Sequence, residues 1–305
     1  VDDRGTSLTP LAGGHSGRTF LSDVAGERAV VRVYPPGEPR GEVAPEIDAA
    51  VLHLVRGLLP VPAVVEVRRA EPAQGLPGLL VTEWRPGERG DLVVTDLAAA
   101  GDVEGLSRLG ASLGHVAGTL AGMPMVRPGP FVGADLALGE FPHGGLAEWV
   151  DLHLGAWSEQ DRSRLRGVAD DAQDLLDTVG RACLVHSDLN PKNVLVDRRT
   201  LTVSAVLDWE FSHAGHPWTD VGNLLRFERH PAYVEAVLAA WTDLRGGSPD
   251  DLRDGARAAD LWALAELASR PAANPVAERA DALLRAVART GDLHAPPPTT
   301  AARQE

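Results

Sequence analysis

Lysine is almost missing from this sequence. Lys192 is the only one, and every other base is arginine. A phosphate-binding P-loop of the form GxxxxGK[ST] is therefore impossible, because Pro191 precedes that lysine and Asn193 follows it. Any nucleotide the chain binds must be held in another way. Cysteine is as scarce. The single Cys183 excludes an intramolecular disulfide framework and fits a reducing, cytoplasmic setting. Next to a strand-like run it reads as a small buried hydrophobe rather than a nucleophile. No stretch approaches the ~18 consecutive apolar residues that a membrane span requires. The opening residues VDDRGTSLTP lack the basic-then-apolar pattern of a secretory signal. A cytoplasmic protein with no membrane partner is expected. Positive charge is also short: 43 acids face 29 bases, a net charge of −14. That balance disfavours nucleic acid as a partner and favours a small cationic ligand, although surface acidity also serves solubility. No motif calls for a protein partner, and no internal repeat or heptad pattern is present.

What remains is a chain of 305 residues, 44% hydrophobic and 24% charged, long enough for about two lobes with cores of their own. Short β-rich runs punctuated by turn signals fill the first ~85 residues. Arg28–Tyr34, Ala63–Arg69 and Gly78–Trp84 read as strands. Between the first two, PEIDAAVLHLVRGL carries apolar residues at helical spacing, with Pro45 suited to a first turn. RPGERGD, Arg85–Asp91, reads as a linker. Helical patterns then dominate: Leu97–Met123, Leu146–Leu154, Asp161–Val179, Pro231–Leu244, Pro249–Ser269 and Pro275–Arg289. One β interruption falls at Ala182–Asp208. The expectation is an α+β fold with a small antiparallel sheet lobe over residues 1–84, a linker at 85–91, a helical lobe over 92–292 and a disordered tail at 293–305.

The interruption carries the most unusual stretch, LVHSDLNPKNVLVD, Leu184–Asp197. Between two apolar runs it sets His186, then Asp188, then Asn193. Fifteen residues after Asn193 a further apolar run delivers Asp208. Asn193 and Asp208 offer oxygen donors without His or Cys, a set suited to Mg²⁺ bridging phosphates. An Asp that stands apart from such a pair can accept a hydroxyl proton. This is the H-x-D-x-x-x-x-N pattern of a kinase catalytic loop followed by a metal Asp.

Near the N-terminus, LAGGHSGRTF places Gly13, Gly14, Ser16 and Gly17 in a loop between strands, where the backbone could close over nucleotide phosphates. A dinucleotide fold is excluded, since a strand follows the loop and no acid stands ~20 residues on. Arg32, on the next strand, can neutralise phosphates bidentately. Its orienting acid is expected in the following helix, as Asp48 or alternatively Glu46. Asp220, before an apolar run, reads as a helix N-cap. GASLG, Gly110–Gly114, matches the hydrolase elbow G-x-S-x-G but sits inside a helical pattern rather than a strand-to-helix turn. His213 and His216 lack a third metal ligand.

Taken together, GGHSG, AVVRVY, PVPAVVEV, LLVTEWRPG, HSDLNPKN and LDWEFSHAGHPWTDVG resemble the aminoglycoside phosphotransferase family, over nearly the whole chain. The resemblance implies a bilobal protein-kinase-like fold and transfer of a phosphoryl group from ATP with Mg²⁺ to a hydroxyl. It implies Asp188 as base, Asn193 and Asp208 as metal ligands, and Arg32 in a place usually held by lysine. Asp220 would brace the catalytic loop as well as cap its helix. Adenine would meet backbone groups of Glu83 and Arg85. The acceptors expected are a cationic antibiotic, whether aminoglycoside or viomycin–capreomycin-type peptide, or else choline, fructosamine or an amino alcohol. A macrolide would want a more apolar pocket. A catalytically silent nucleotide-binding scaffold is the alternative from another class, and the intact Asp188, Asn193 and Asp208 argue against it. For the acceptor's positive charge, Glu210, Asp260 and Glu266 are the candidate partners, with Trp262 available for stacking.

Overall fold

The computed structural model of the chain describes residues 7–11, 18–24, 26–35, 37–142 and 144–296. The expected phosphate loop with Gly14, Ser16 and Gly17 lies outside the described residues, as does 297–305 of the expected tail. The N-terminal sheet contains β1 (Ser7–Pro10), β2 (Arg18–Val24), β3 (Glu27–Tyr34), β4 (Val64–Arg68) and β5 (Gly78–Glu83), in the order β1-β2-β3-β5-β4 with antiparallel neighbours. At the β2–β3 turn Gly26 has φ 90°, and its N–H donates to the Asp23 carboxylate at 3.0 Å. In the register that follows, Arg32 lies between Thr19 and Leu80 in the middle of the sheet. The helix α1 (Ala44–Val55) has Pro45 in its first turn, where the missing N–H costs no bond, and buries Ile47, Val51, Leu52 and Val55.

The expected linker contains a two-residue strand, β6 (Glu88–Arg89), which runs directly into α2 (Gly90–Ala100) and then α3 (Val103–Ala121). The periodicity from Leu97 onward predicts one helix where the chain forms two. Gly101, left-handed at φ 65°, closes α2, and the Asp102 side chain accepts from Gly105 N–H to open α3. A Gly-Asp pair is thus both a stop and a start signal. Short strands β7 (Pro124–Met125) and β8 (Gly129–Pro130) precede α4 (Leu146–His153) and α5 (Glu159–Asp177). Then come β9 (Ala182–Val185), β10 (Val194–Asp197), β11 (Thr202–Val206) and β12 (His213–Gly215), and after them α6 (Thr219–Leu225), α7 (Pro231–Arg245), α8 (Pro249–Ala268) and α9 (Pro275–Thr290). β10 pairs with β11 on one side and β6 on the other, while β9 pairs with β7 and β12.

One apolar cluster runs from Ile47 and Val55 through Leu113 and Leu184 to Tyr233 and Val237, joining sheet lobe to helical lobe. A second gathers α4, α5, α8 and α9 around Leu146, Leu165, Leu261 and Leu284. The start of the expected tail belongs to that second core, which corrects its reading as disorder. Ala295 is buried, Leu293 packs on the cluster and His294 pairs with Asp254 at 3.0 Å. Among the described residues no helix is long and apolar enough to cross a membrane.

Candidate active site

β9 is buried along its whole length, so its polar successors emerge at a fixed place in the helical lobe. Helix α6 supplies the grip. The Asp220 carboxylate accepts from His186 N–H at 3.0 Å and Ser187 N–H at 2.8 Å, and Asn223 Oδ1 accepts from Leu189 N–H at 3.2 Å. Positions i and i+3 share a helix face, so one face of α6 holds the loop. Ser187 has φ 66°, a left-handed backbone that a serine adopts only under constraint, and the two bonds to Asp220 supply it. Burial pushes the Asp220 carboxyl above its ordinary range, with its amide donors and His186 working against that shift. His186 is buried, stacks on Trp209, accepts from Asp188 N–H and bonds through Nε2 to the Leu207 carbonyl at 2.8 Å. Its ring thus ties the loop to the residue before Asp208.

The Asp188 carboxylate is oriented from both sides. Oδ1 accepts from Asn190 Nδ2 at 2.8 Å and Oδ2 from Asn193 Nδ2 at 2.7 Å. Because Asn193 spends its amino group on Asp188, its carbonyl oxygen is the atom it can offer a hard cation. Asp208 follows β11 with φ 63° and ψ 62°, again left-handed, and Leu207 N–H donates to the main-chain carbonyl of Asn193 at 2.8 Å, which leaves the side-chain Oδ1 as the atom in question. Among the described residues no three His, Cys, Asp or Glu side chains gather to hold a metal. An amide and a carboxylate fit Mg²⁺, which completes its shell with water and phosphate oxygens, better than a metal that demands a full protein cage. The paired histidines are tied to backbone, His213 Nδ1 to the Phe211 carbonyl and His216 Nε2 to the Leu176 carbonyl, and no further ligand gathers with them among the described residues.

Arg32 reaches down from β3 into this mouth. Nη1 donates to Asp208 Oδ1 at 2.7 Å, and Nη2 donates to Glu210. The expected partner in α1 is thereby corrected. Asp48 is buried and accepts from Tyr34 Oη at 2.6 Å and from Arg40 at 2.5 Å, while Glu46 pairs with Arg69 at 2.7 Å. Asp48 therefore fixes the end of β3 to α1 instead of orienting the cation. Two acceptor candidates are corrected as well. Glu210 is buried against Arg32, and Asp260, 1% exposed, forms a buried pair with Arg226 at 2.7 Å. Neither carboxylate faces solvent to meet a ligand. Trp262 packs its ring on Trp149 at 5.5 Å, and its carbonyl accepts from the Trp149 indole. Glu266 is exposed on α8. At the junction of the lobes Glu83 N–H donates to the Ala63 carbonyl at 2.8 Å, and the Arg85 guanidinium lies 3.4 Å from both Glu83 and the Ser204 carbonyl. Asn223 was not anticipated from sequence; its signal was its spacing of three from Asp220.

Solved structures share this architecture at low identity. Aminoglycoside phosphotransferase APH(4)-Ia, as a thermostable mutant in ternary complex with AMP-PNP and hygromycin B, is 19% identical, with a TM-score of 0.62 over 95% of this chain and 97% of that one. A microcompartment-associated aminopropanol kinase is 21% identical, with a TM-score of 0.64 over 93% and 92%. The GDP complex of an aminoglycoside 2′-phosphotransferase-IIIa mutant is 17% identical, with a TM-score of 0.63 over 94% and 86%. A curated relative, acyl-CoA dehydrogenase family member 11 of Mus musculus, is 41% identical over 65 residues, which is 21% of this chain and only 8% of that protein. The phosphotransferase enzyme family matches residues 7–253, the span that holds β1 to β12 and every residue of the mouth described above; the chain belongs to that family.

Proposed function

We propose that the protein is an ATP-dependent O-phosphotransferase that phosphorylates a hydroxyl of a small cationic molecule, with antibiotics of the aminoglycoside or cyclic-peptide type as the leading acceptors. The observation that carries the reading is the Asp188 carboxylate, held by the two amides of Asn190 and Asn193 at the same mouth as Asp208 and Arg32. In this reading Asp188 takes the hydroxyl proton of the acceptor. Its two amide donors stop the carboxylate rotating, so that one oxygen edge stays aimed at the nucleophile. Arg32 neutralises phosphate oxygens, and backbone at Glu83 and Arg85 receives the base. Mg²⁺, when bound, neutralises charge on the phosphates, and Asn193 and Asp208 are the residues that would hold it. Phosphoryl transfer depends mainly on positioning and charge stabilisation, so this set needs no covalent intermediate. The cationic acceptor is supported by the net charge of −14 and by hygromycin B in a relative's complex. A metabolic amino alcohol is the second reading, favoured by the likeness to an aminopropanol kinase.

Incubation with Mg²⁺, ATP or GTP, and a panel of aminoglycosides, cyclic basic peptides, macrolides, choline and amino alcohols tests it, with products read by mass spectrometry. A phosphorylated cationic product, absent with Asp188→Asn, is expected. Phosphorylation confined to the macrolides, which want a more apolar pocket, would overturn the acceptor class, and failure to bind any nucleotide would overturn the enzyme itself.

A further inference from the structure

We infer that Glu210, rather than an acid of α1, is the residue that positions Arg32 for the nucleotide, and that this arrangement requires arginine at position 32. The inference rests on the phosphotransferase reading above and concerns this chain's own residues. Both α1 acids are committed elsewhere: Asp48 to Tyr34 and Arg40, and Glu46 to Arg69. Glu210 stands two residues beyond Asp208, on the 3-10 turn Trp209–Phe211, and its side chain is more buried than the guanidinium it meets. The two halves of that guanidinium do different things. Nη2 is anchored on Glu210, and Nη1 lies on Asp208, a carboxylate 30% exposed at the mouth. Nη1 is thus the half that can exchange Asp208 for a phosphate oxygen, while Nη2 keeps the side chain in place. A lysine offers one point charge and cannot span two acids with fixed geometry.

Two double-mutant cycles decide it, with calorimetric affinity for ATP and thermal stability of the nucleotide-free protein as readouts alongside kcat and KM. One combines Arg32→Gln with Glu210→Gln, and the other Arg32→Gln with Asp48→Asn. Glu210→Gln keeps the size of the side chain, and the thermal melt shows directly that the variant is folded before its affinity is read. Glu210→Gln alone should weaken ATP binding about tenfold, the size of one coupled charge pair, and raise KM for ATP with a smaller change in kcat. The pair Arg32 and Glu210 should be strongly non-additive in affinity and in stability. Arg32→Lys should fail to restore affinity. Asp48→Asn should lower stability while leaving ATP affinity near wild type, additively with Arg32→Gln. Additive effects of Arg32 and Glu210, coupling to Asp48 instead, or full rescue by Arg32→Lys would each overturn the inference. A wild-type protein that binds no nucleotide would instead overturn the reading on which the inference rests, so the two failures are distinct.

Discussion

At the scale of single residues, Asp188 and His216 make opposite demands on their surroundings. As the proposed base, Asp188 must keep its charge and its aim, and the amides of Asn190 and Asn193 hold its two oxygens. Asp188→Asn keeps the shape but removes the proton acceptor, so kcat should fall by about 10²–10⁴-fold while ATP affinity, measured by calorimetry, stays near wild type. Near-normal turnover would remove Asp188 from the role of base. His216 is held neutral. Burial pushes its pKa down to about 4 from an ordinary 6.5, and its Nε2 bonds to the Leu176 carbonyl. Between those values the unfolded chain takes up a proton that the folded chain refuses. Stability is therefore intact above pH 6.5 and is lost as pH falls toward 4, by on the order of 2–3 kcal/mol at the end of that window. In His216→Gln, urea midpoints between pH 7 and pH 4.5 should fall less steeply than in the wild type, and parallel curves would show that other groups set the acid limb. The candidate catalytic loop was legible in the sequence because polar side chains interrupt apolar strands at fixed spacing. The partner of Arg32 was not, because Glu210 lies 178 positions away and only the close approach of β3 to the turn after β11 joins them. The same holds for Asp260: nothing in ADLWALAEL tells a solvent-facing acid from one that neutralises a buried Arg226 34 positions earlier.

At the scale of elements, GASLG turns out to be a packing motif rather than a nucleophile elbow. Gly110, Gly114 and Gly118 recur every four residues on α3 and face α7. A Cβ at Gly114 would stand 2.3 Å from the Val237 carbonyl oxygen, and one at Gly110 would stand 2.6 Å from that of Tyr233. Ser112 points elsewhere, its hydroxyl accepting from Val203 N–H of β11 at 2.9 Å. The helices therefore meet backbone to backbone, and through Ser112 the position of α3 is tied to β11 and to the Asp208 that follows it. Gly114→Ala should destabilise by about 3 kcal/mol, the upper end of overpacking costs, because the clash is with backbone and not with a side chain that can turn away. Thermal denaturation of the nucleotide-free protein checks it, and a Tm within a degree of wild type would mean that α7 yields without cost. Sequence periodicity located these helices but could not show which of their faces touch, since small residues have no hydropathy signal strong enough to mark an interface. The split at Gly101 and Asp102 was readable in principle from turn chemistry and was masked by apolar spacing that runs through both helices.

At the scale of the whole molecule, a cationic acceptor of the kind proposed would meet the charge of −14 without two of the three carboxylates expected for it. Glu210 is consumed by Arg32 and Asp260 by Arg226, which leaves Glu266 as the exposed member of that set. An attraction for cations must then come mainly from the summed field of many surface acids, not from one buried pair. The two cases respond differently to salt. A field spread over the surface is screened once the Debye length drops from ~10 Å at 0.1 M salt to ~3 Å at 1 M, whereas a buried ion pair is screened much less. For a multiply charged amine acceptor, KM should therefore rise about tenfold between low and high salt, driven by slower association, with kcat nearly unchanged. KM for ATP should move less, since the proposed reading holds the nucleotide through backbone and Mg²⁺. Because no single acid dominates, Glu266→Gln should shift the acceptor KM by less than about threefold, the scale of one exposed charge pair. A KM indifferent to salt would point to an uncharged acceptor, and a salt response abolished by Glu266→Gln alone would place the recognition in one ion pair on α8 instead of in the field.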